Sequence, residues 1–208
     1  MADQHPIAPG DHLSRVAAQR GFRGYPPLWD DPANRALRAK HPNPHILAAG
    51  DVVTVPALEV REVDRATEQR HRFKVTVPEL VVRLALRRWD GTPMESLPAE
   101  VLVDGRARPT MVGKGTLQLP IGPNDDRITM TVDGIEVTVR IGHLQPIDTV
   151  AGVRERLNNL GYDAGDRDDF QTLQFRSAVE EFQCDRGLPV DGKVGPATRA
   201  ALARAHGC

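Results

Sequence analysis

Any chemistry in this chain would have to come from its seven histidines, two cysteines and acidic clusters, so their spacing is weighed first. His41 and His45 stand four apart, a step that brings two imidazoles onto one helix face, but Pro42 and Pro44 prevent a regular helix there. No His-Glu-x-x-His run occurs, and none of His5, His12, His71, His143 or His206 has a companion carboxylate at a metal-site spacing. His206-Gly207-Cys208 sets a base beside a thiol, yet the sequence offers no rigid shell to orient the two. Asp166, Asp168 and Asp169 lack the later glycine and glutamate of a calcium loop, and paired acids alone do not make a glycosidase. Gly113 to Gly115 does not form a phosphate loop. The expectation is a protein with no catalytic residues, no metal and no cofactor. Binding is the alternative to catalysis. Phe22, Tyr25 and Trp29 either stack on a sugar or complete a small core. Arg83, Arg87, Arg88 and Trp89 either form a patch or line the outward face of a strand.

The elements that would position such residues are best marked toward the C-terminus. Val150, Val153, Leu157 and Leu160 recur at three- and four-residue steps, which predicts a helix started by Asp148 or Thr149 and ended by Gly161. Phe175, Ala178, Val179 and Phe182 predict a second helix, with Asp168 or Asp169 in front of it. Gly187 to Gly192 is a turn-rich connector, and Pro196 suits the first turn of a third helix running through Ala201 and Leu202.

Three stretches here resemble the three-helix peptidoglycan-binding domain attached to many bacterial cell-wall hydrolases. They are Val153-Arg154-Glu155-Arg156-Leu157-Asn158-Asn159-Leu160-Gly161-Tyr162, the run from Phe175 to Gln183, and Gly187 to Leu202. The resemblance implies Arg156, Tyr162, Gln183 and Asp191 as exposed ligand-binding candidates. Where the family carries a glycine- and threonine-bearing turn between its first two helices, this chain has the acidic Asp163-Ala164-Gly165-Asp166-Arg167-Asp168-Asp169-Phe170.

Nearer the start, Gly10-Asp11-His12-Leu13-Ser14 leads into a helical pattern ended by Gly21, and a second helix is predicted from about Asn34 to Lys40. Gly50-Asp51 is a turn and Val52 to Val55 a β-branched strand, giving a strand, helix, helix, strand order whose first strand lies before Gly10. Gly10 to Ala17, Asn43-Pro44 and Leu47 to Pro56 resemble the LysM domain, with His12 departing from its opening signature and a long Tyr25 to Pro42 middle. The resemblance implies binding of N-acetylglucosamine-containing glycans, with Tyr25 and Trp29 as the candidate residues.

Between these ends, residues 59–71 are charged and poor in large apolar groups. The apolar period then changes to two: Phe73, Val75 and Val77; Leu80, Val82, Leu84 and Leu86; Val101 to Val103 before an Asp104-Gly105 turn; Leu117 and Leu119; and Ile128 to Val132, joined through Asp133-Gly134 to Ile135 to Ile141. Six or seven short strands predict a compact antiparallel β-sandwich, with Gly105 to Gly113 as a loop.

The expected fold is therefore multidomain α+β: a LysM-like domain over 1–58, a charged linker over 59–71, a β-sandwich over 72–144 and a three-helix peptidoglycan-binding-like domain over 145–208. Lys and Arg total 27 against 28 Asp and Glu, a net charge of −1 without the concentrated basic footprint of nucleic-acid binders. No run of about 20 apolar residues predicts a membrane span. The first residues lack the basic and apolar regions of a signal peptide, and Cys184 and Cys208 fit a reducing compartment. The domain order also resembles accessory proteins of bacterial contractile injection systems, type VI secretion among them. Such proteins assemble in the cytoplasm, and delivery to the periplasm or outside would be signal-independent. Two readings stand. One is a non-catalytic protein that binds peptidoglycan through its glycan or stem peptide. The other is an adaptor that binds a toxin or an injection-apparatus component.

Overall fold

The computed structural model describes residues 3–59, 62–74, 78–88, 90–94, 100–108, 110–113, 115–132 and 134–208. The chain divides into two compact units, Met1–His45 with Ala49–Ile141, and Ile46–Ala48 with Gly142–Cys208.

In the first unit, β1 (Asp3–Pro6) pairs antiparallel with β2 (Val52–Val55), Asp3 facing Val55 and Pro6 facing Val52. Between them lie α1 (Leu13–Gln19), α2 (Pro26–Trp29), a 3-10 turn at Pro32–Asn34 and α3 (Arg35–Lys40). The first strand falls before Gly10, as the turn there requires. The short α2 was not legible in the hydrophobic pattern. It forms because Pro26 and Pro27 pre-set φ for a first helical turn and lack N–H groups that would go unpaired there. Leu13, Val16, Ala17, Leu28 and Val53 are fully buried and make the core of this part.

Side chains do the joining. His12 caps α1, its Nδ1 accepting from the Arg15 N–H at 3.4 Å, so the residue that departs from the LysM opening signature still supplies a helix-start acceptor. Burial and the nearby His45 and Arg15 charges hold the His12 imidazole down to about 4, which keeps it neutral and able to accept. Asn34, itself buried, donates to the Leu28 and Thr54 carbonyls at 2.8 and 2.7 Å and accepts from the Thr54 N–H at 2.8 Å, tying the helical segment to β2. Arg15 reaches from α1 to the Asp125 carbonyl at 2.9 Å and the Asp126 carboxylate at 3.3 Å.

The remainder of this unit is antiparallel sheet. One sheet has the order β3 (Leu80–Ala85), β7 (Thr116–Ile121), β6 (Met111–Gly113); the other has β5 (Arg106–Ala107), β4 (Val101–Val103), β8 (Arg127–Val132), β9 (Ile135–Arg140). Along β3, half-buried and exposed residues alternate as the period of two predicts. Val101, Val103, Leu117, Leu119, Ile128 and Met130 from both sheets share one apolar cluster. The Asp104-Gly105 turn is present, with φ of 47° and 75°. The predicted loop from Gly105 to Gly113 is corrected: β5 and β6 form within it. Both are short edge strands, paired with β4 and β7 respectively. Val75, Val77, Trp89, Pro109 and Asp133, which carried parts of the predicted first strand, arginine patch, Gly105 to Gly113 loop and last hairpin turn, lie outside the described residues.

The second unit holds α4 (Val150–Asn159), α5 (Leu173–Asp185) and α6 (Pro196–His206) around Val153, Leu157, Phe175, Val179, Phe182 and Leu202. Thr149 caps α4, its Oγ1 accepting from the Gly152 N–H at 3.0 Å, and Gly161 ends the helix with φ of 93°. Thr172 caps α5, accepting from the Phe175 N–H at 3.2 Å, and Asp168 and Asp169 precede it, as expected. Asp169 accepts from the Gln171 N–H at 2.8 Å and shapes the approach to the cap. Pro196 opens α6. Gly152 lets the incoming segment cross α4: a Cβ there would collide with the Pro146 carbonyl oxygen and lie 2.6 Å from that of Gln145. Among the described residues no helix is long and apolar enough to cross a membrane.

Candidate functional site

Four of the predicted ligand residues belong to the three-helix bundle, and the structure gives them unequal roles. Gln183, expected on the surface, is buried. Its Oε1 accepts from the Asp191 and Gly192 N–H groups, both at 3.0 Å. Its Nε2 donates toward Asp191 Oδ1 at 2.8 Å, the Lys193 carbonyl at 3.0 Å and Thr198 Oγ1 at 3.1 Å. One amide thereby saturates the α5–α6 turn, which is why a polar residue sits in the core. Asp191 is exposed and accepts from the Lys193 N–H at 2.9 Å. That bond and the one from Gln183 hold its carboxyl below the usual carboxylate range.

Arg156, also expected exposed, is buried, and its charge is satisfied by carbonyls. Nη1 donates to Gln145 and Gly152 at 2.7 and 2.8 Å, and Nε to Cys208 at 2.9 Å. Desolvation pushes its pKa down. It pins the segment entering α4 and the residues following α6. Tyr162 is half-buried, its ring edge-on to Phe182 and its hydroxyl donating to Asp185 at 2.8 Å. Burial and that bond push the phenol up to about 12. Tyr162 and Asp191 keep surface that a ligand can reach; Gln183 and Arg156 are framework.

The turn between α4 and α5 is built differently. Asn158 accepts from the Ala164 N–H at 2.8 Å and donates to the Gly165 carbonyl at 2.9 Å. Asp168 pairs with Arg154 at 2.8 Å, and Gln174 donates to Asp163 at 2.8 Å. An open cavity of about 300 Å³, lined by Ala164, Gly165, Asp166, Arg167, Thr172 and Gln174, sits beside this turn. Phe170, at the end of the turn, and Leu173, at the start of α5, are 39% and 83% exposed.

In the first unit, Tyr25 is half-buried with its ring edge-on to His45 at 4.9 Å. Phe22 and Tyr25 line a common slot, whereas Trp29 is not among its walls. The Trp29 carbonyl accepts from Arg38. The three aromatics thus do not make one stacking surface.

The thiol pair looks different from its sequence. His206 Nδ1 lies 3.1 Å from Cys208 Sγ, His206 Nε2 lies 3.0 Å from Asn159 Nδ2, and Arg156 holds the Cys208 carbonyl. A shell to orient the pair does exist. Its electrostatics oppose activation, because burial raises the Cys208 thiol and lowers the His206 imidazole to about 4, so the proton stays on sulfur. Cys184 and Cys208 are both free.

Residues 148–202, which hold the three helices, match the family model described as a putative peptidoglycan binding domain. The match does not extend to the N-terminal helices or the strands. No curated protein and no solved structure matches the chain.

Proposed function

We propose that this chain is a non-catalytic peptidoglycan-binding protein whose three-helix domain grips the wall polymer. The single observation behind this reading is the family match over 148–202. In the same reading the β1–β2 pair of the first unit, with the three short helices between its strands, is a LysM-like module, and the two sheets with their shared apolar cluster are a β-sandwich that serves as scaffold. The test is cosedimentation with purified sacculi, using the intact protein and a version lacking the C-terminal domain. Retention of the first and loss of the second is expected. Failure of the intact, folded protein to bind overturns the proposal.

A second reading has its own support. The signature residues Gln183 and Arg156 are spent on internal bonds, while the altered first turn presents Phe170 and Leu173 beside four aspartates. That surface suits a protein partner, such as a toxin or a component of a contractile injection apparatus. The chain would then assemble in the cytoplasm and be carried outward with the machine. A partner pull-down alongside the sacculus assay separates the two, and sheath, tube or spike genes beside its own would favour the adaptor.

A further inference from the structure

β9 forms one edge of its sheet and, among the described residues, pairs with β8 alone. The Ile141 N–H bonds back to the Asp126 carbonyl at 2.8 Å. Antiparallel ladders alternate bonded and non-bonded pairs, so Ile135, Val137 and Val139 also turn their N–H and carbonyl groups toward β8. Glu136, Thr138 and Arg140 turn theirs to the open side. Nothing among the described residues bonds them there, in backbone or side chain. Such an edge is normally blunted by proline, lysine or a bulge. β9 has none of these: its sequence is IEVTVR, and its register with β8 runs unbroken from Ile135 to Arg140.

The side chains leave pairing unfinished on both faces of the strand. On the outward face Arg140 stands directly opposite Arg127 of β8, and neither guanidinium has a carboxylate partner among the described residues. Like charges so placed repel. On the inward face Val137 and Val139 pack against the apolar cluster of the two sheets, but Ile135 is 68% exposed.

We propose that β9 is a self-pairing strand through which two copies of this chain join, antiparallel, about a twofold axis at Thr138. In that register Glu136 of each copy lies opposite Arg140 of the other, and Thr138 lies opposite Thr138. Val137 lies opposite Val139, and Ile135 opposite Ile141. The open N–H and carbonyl groups of Glu136, Thr138 and Arg140 then all fall on bonded pairs. Each Arg140 gains a carboxylate that offsets Arg127, and Ile135 is covered. A slip that keeps the bonding parity parts Glu136 from Arg140, so the charges select the register. β3, the other long edge strand, carries Arg83 as its one charge and has no acid to match it. β5 and β6 are 2 and 3 residues long. Because β5 bounds the far side of the sheet that holds β9, pairing at β9 closes at a dimer and does not run on into a fibre. The dimer carries a pair of three-helix domains, which raises retention on a polymeric wall through effective concentration. That consequence rests on the peptidoglycan reading above; the pairing does not.

The test is sedimentation velocity of the full chain across a concentration series, where the wild type should show a reversible monomer–dimer equilibrium. Glu136→Arg and Arg140→Glu, both at exposed positions, should each weaken the dimer about tenfold or more, because like charges replace opposite ones at both ends of the pairing. Mixed together, the two single variants should form a heterodimer as tight as the wild-type dimer, since one chain then sets its cations against the anions of the other. The double variant should dimerise as the wild type does. In the wild type, hydrogen exchange should slow at the Glu136, Thr138 and Arg140 amides as concentration rises, while Val137 and Val139 are protected in the monomer already.

A wild type that stays monomeric, a dimer indifferent to both single reversals, or folded single variants that fail to pair on mixing each overturns the proposal. So does protection that rises elsewhere and spares β9. A dimer that survives both reversals and is lost on Arg83→Glu belongs to β3 and overturns the assignment. Equal sacculus retention by the dimeric wild type and the monomeric variants overturns the avidity consequence alone. A dimer that binds no sacculi overturns the proposed function and leaves the pairing standing.

Discussion

The two turns of the helical domain occupy equivalent places between successive helices, yet they are held in different ways. The α5–α6 turn is organised from beneath by Gln183, which is buried and bonded to Asp191, Gly192, Lys193 and Thr198. The α4–α5 turn is held from the side by the exposed Asn158 and by surface pairs, with a cavity next to it. The turn that follows the family pattern has its backbone saturated from within, with Val190 and Asp191 left exposed at its surface. The turn that departs from it has no such buried anchor among the described residues. A sequence signature can therefore mark what a turn needs in order to fold, while recognition is free to sit where the signature lapses.

The largest effect is expected where the incoming segment crosses α4. Gly152→Ala drives a methyl into the Pro146 carbonyl, backbone that cannot swing away as a side chain could. The helical unit should lose about 3 kcal/mol or more, measured as a lowered midpoint in chemical denaturation. A loss below about 1 kcal/mol would mean that the 145–146 segment yields easily and does not anchor the bundle.

Next comes a direct contrast of the two anchors. Gln183→Ala strands the Asp191 and Gly192 N–H groups and the Thr198 hydroxyl, and should cost about 3 kcal/mol. Asn158→Ala removes two bonds at the surface, where water replaces them, and should cost about 1 kcal/mol. Equal losses in paired denaturation curves would erase the distinction between a turn held from beneath and one held from the side.

How much of this was legible follows from the range of each interaction. Thr149, Gly161 and Pro196 were readable because caps and helix breakers act within a few residues of themselves. Gln183 and Arg156 were expected outside because polar side chains usually are. Their burial depends on a turn and a segment from other parts of the chain, which spacing does not encode. The α5 cap was not read: Thr172, one residue before the helix, accepts from the Phe175 N–H, while Asp168 and Asp169, expected in front of the helix, are bonded to Arg154 and the Gln171 N–H. The slot lined by Phe22 and Tyr25 needed Leu80 and Pro123, which only the folded chain brings near them. The short strands β5 and β6 pair at sheet edges and leave no periodic trace in their own residues.

A smaller effect on stability carries a larger one on binding. Leu173→Ser, at an exposed position beside the departing turn, should change stability by no more than about 0.5 kcal/mol. Together with Asp166→Lys it should reduce retention on sacculi several-fold if the wall is held at the departing turn, and leave it unchanged if that surface serves a protein partner, whereas Lys193→Gln in the closed turn should leave retention unchanged in either case. Cosedimentation at matched protein concentration checks this. The opposite pattern would return recognition to the signature turn.

The smallest effects are in the acid response, where the signs separate the contributors. His206 has a folded pKa lowered to about 4 from 6.5 by burial, so the folded unit binds its proton less readily than the unfolded chain. Its contribution is fully present above pH 6.5 and is lost as pH falls toward 4. Asp191 has a depressed pKa, so its contribution is present above 3.8 and is lost only as pH falls through its lower folded value. Glu155, raised by burial, acts in the opposite sense: folding is favoured as pH falls through its folded pKa toward 4.5. His206→Gln should therefore flatten the stability profile between about pH 6.5 and 4, and expose the rise due to Glu155. Asp191→Asn keeps an acceptor for the Lys193 N–H while removing the charge, and should flatten only the limb below pH 3.8. Denaturation midpoints of the helical unit across this range measure both. If Asp191→Asn altered the profile above pH 5, the carboxylate would be coupled to more than its own turn, and the closed character of that turn would fail.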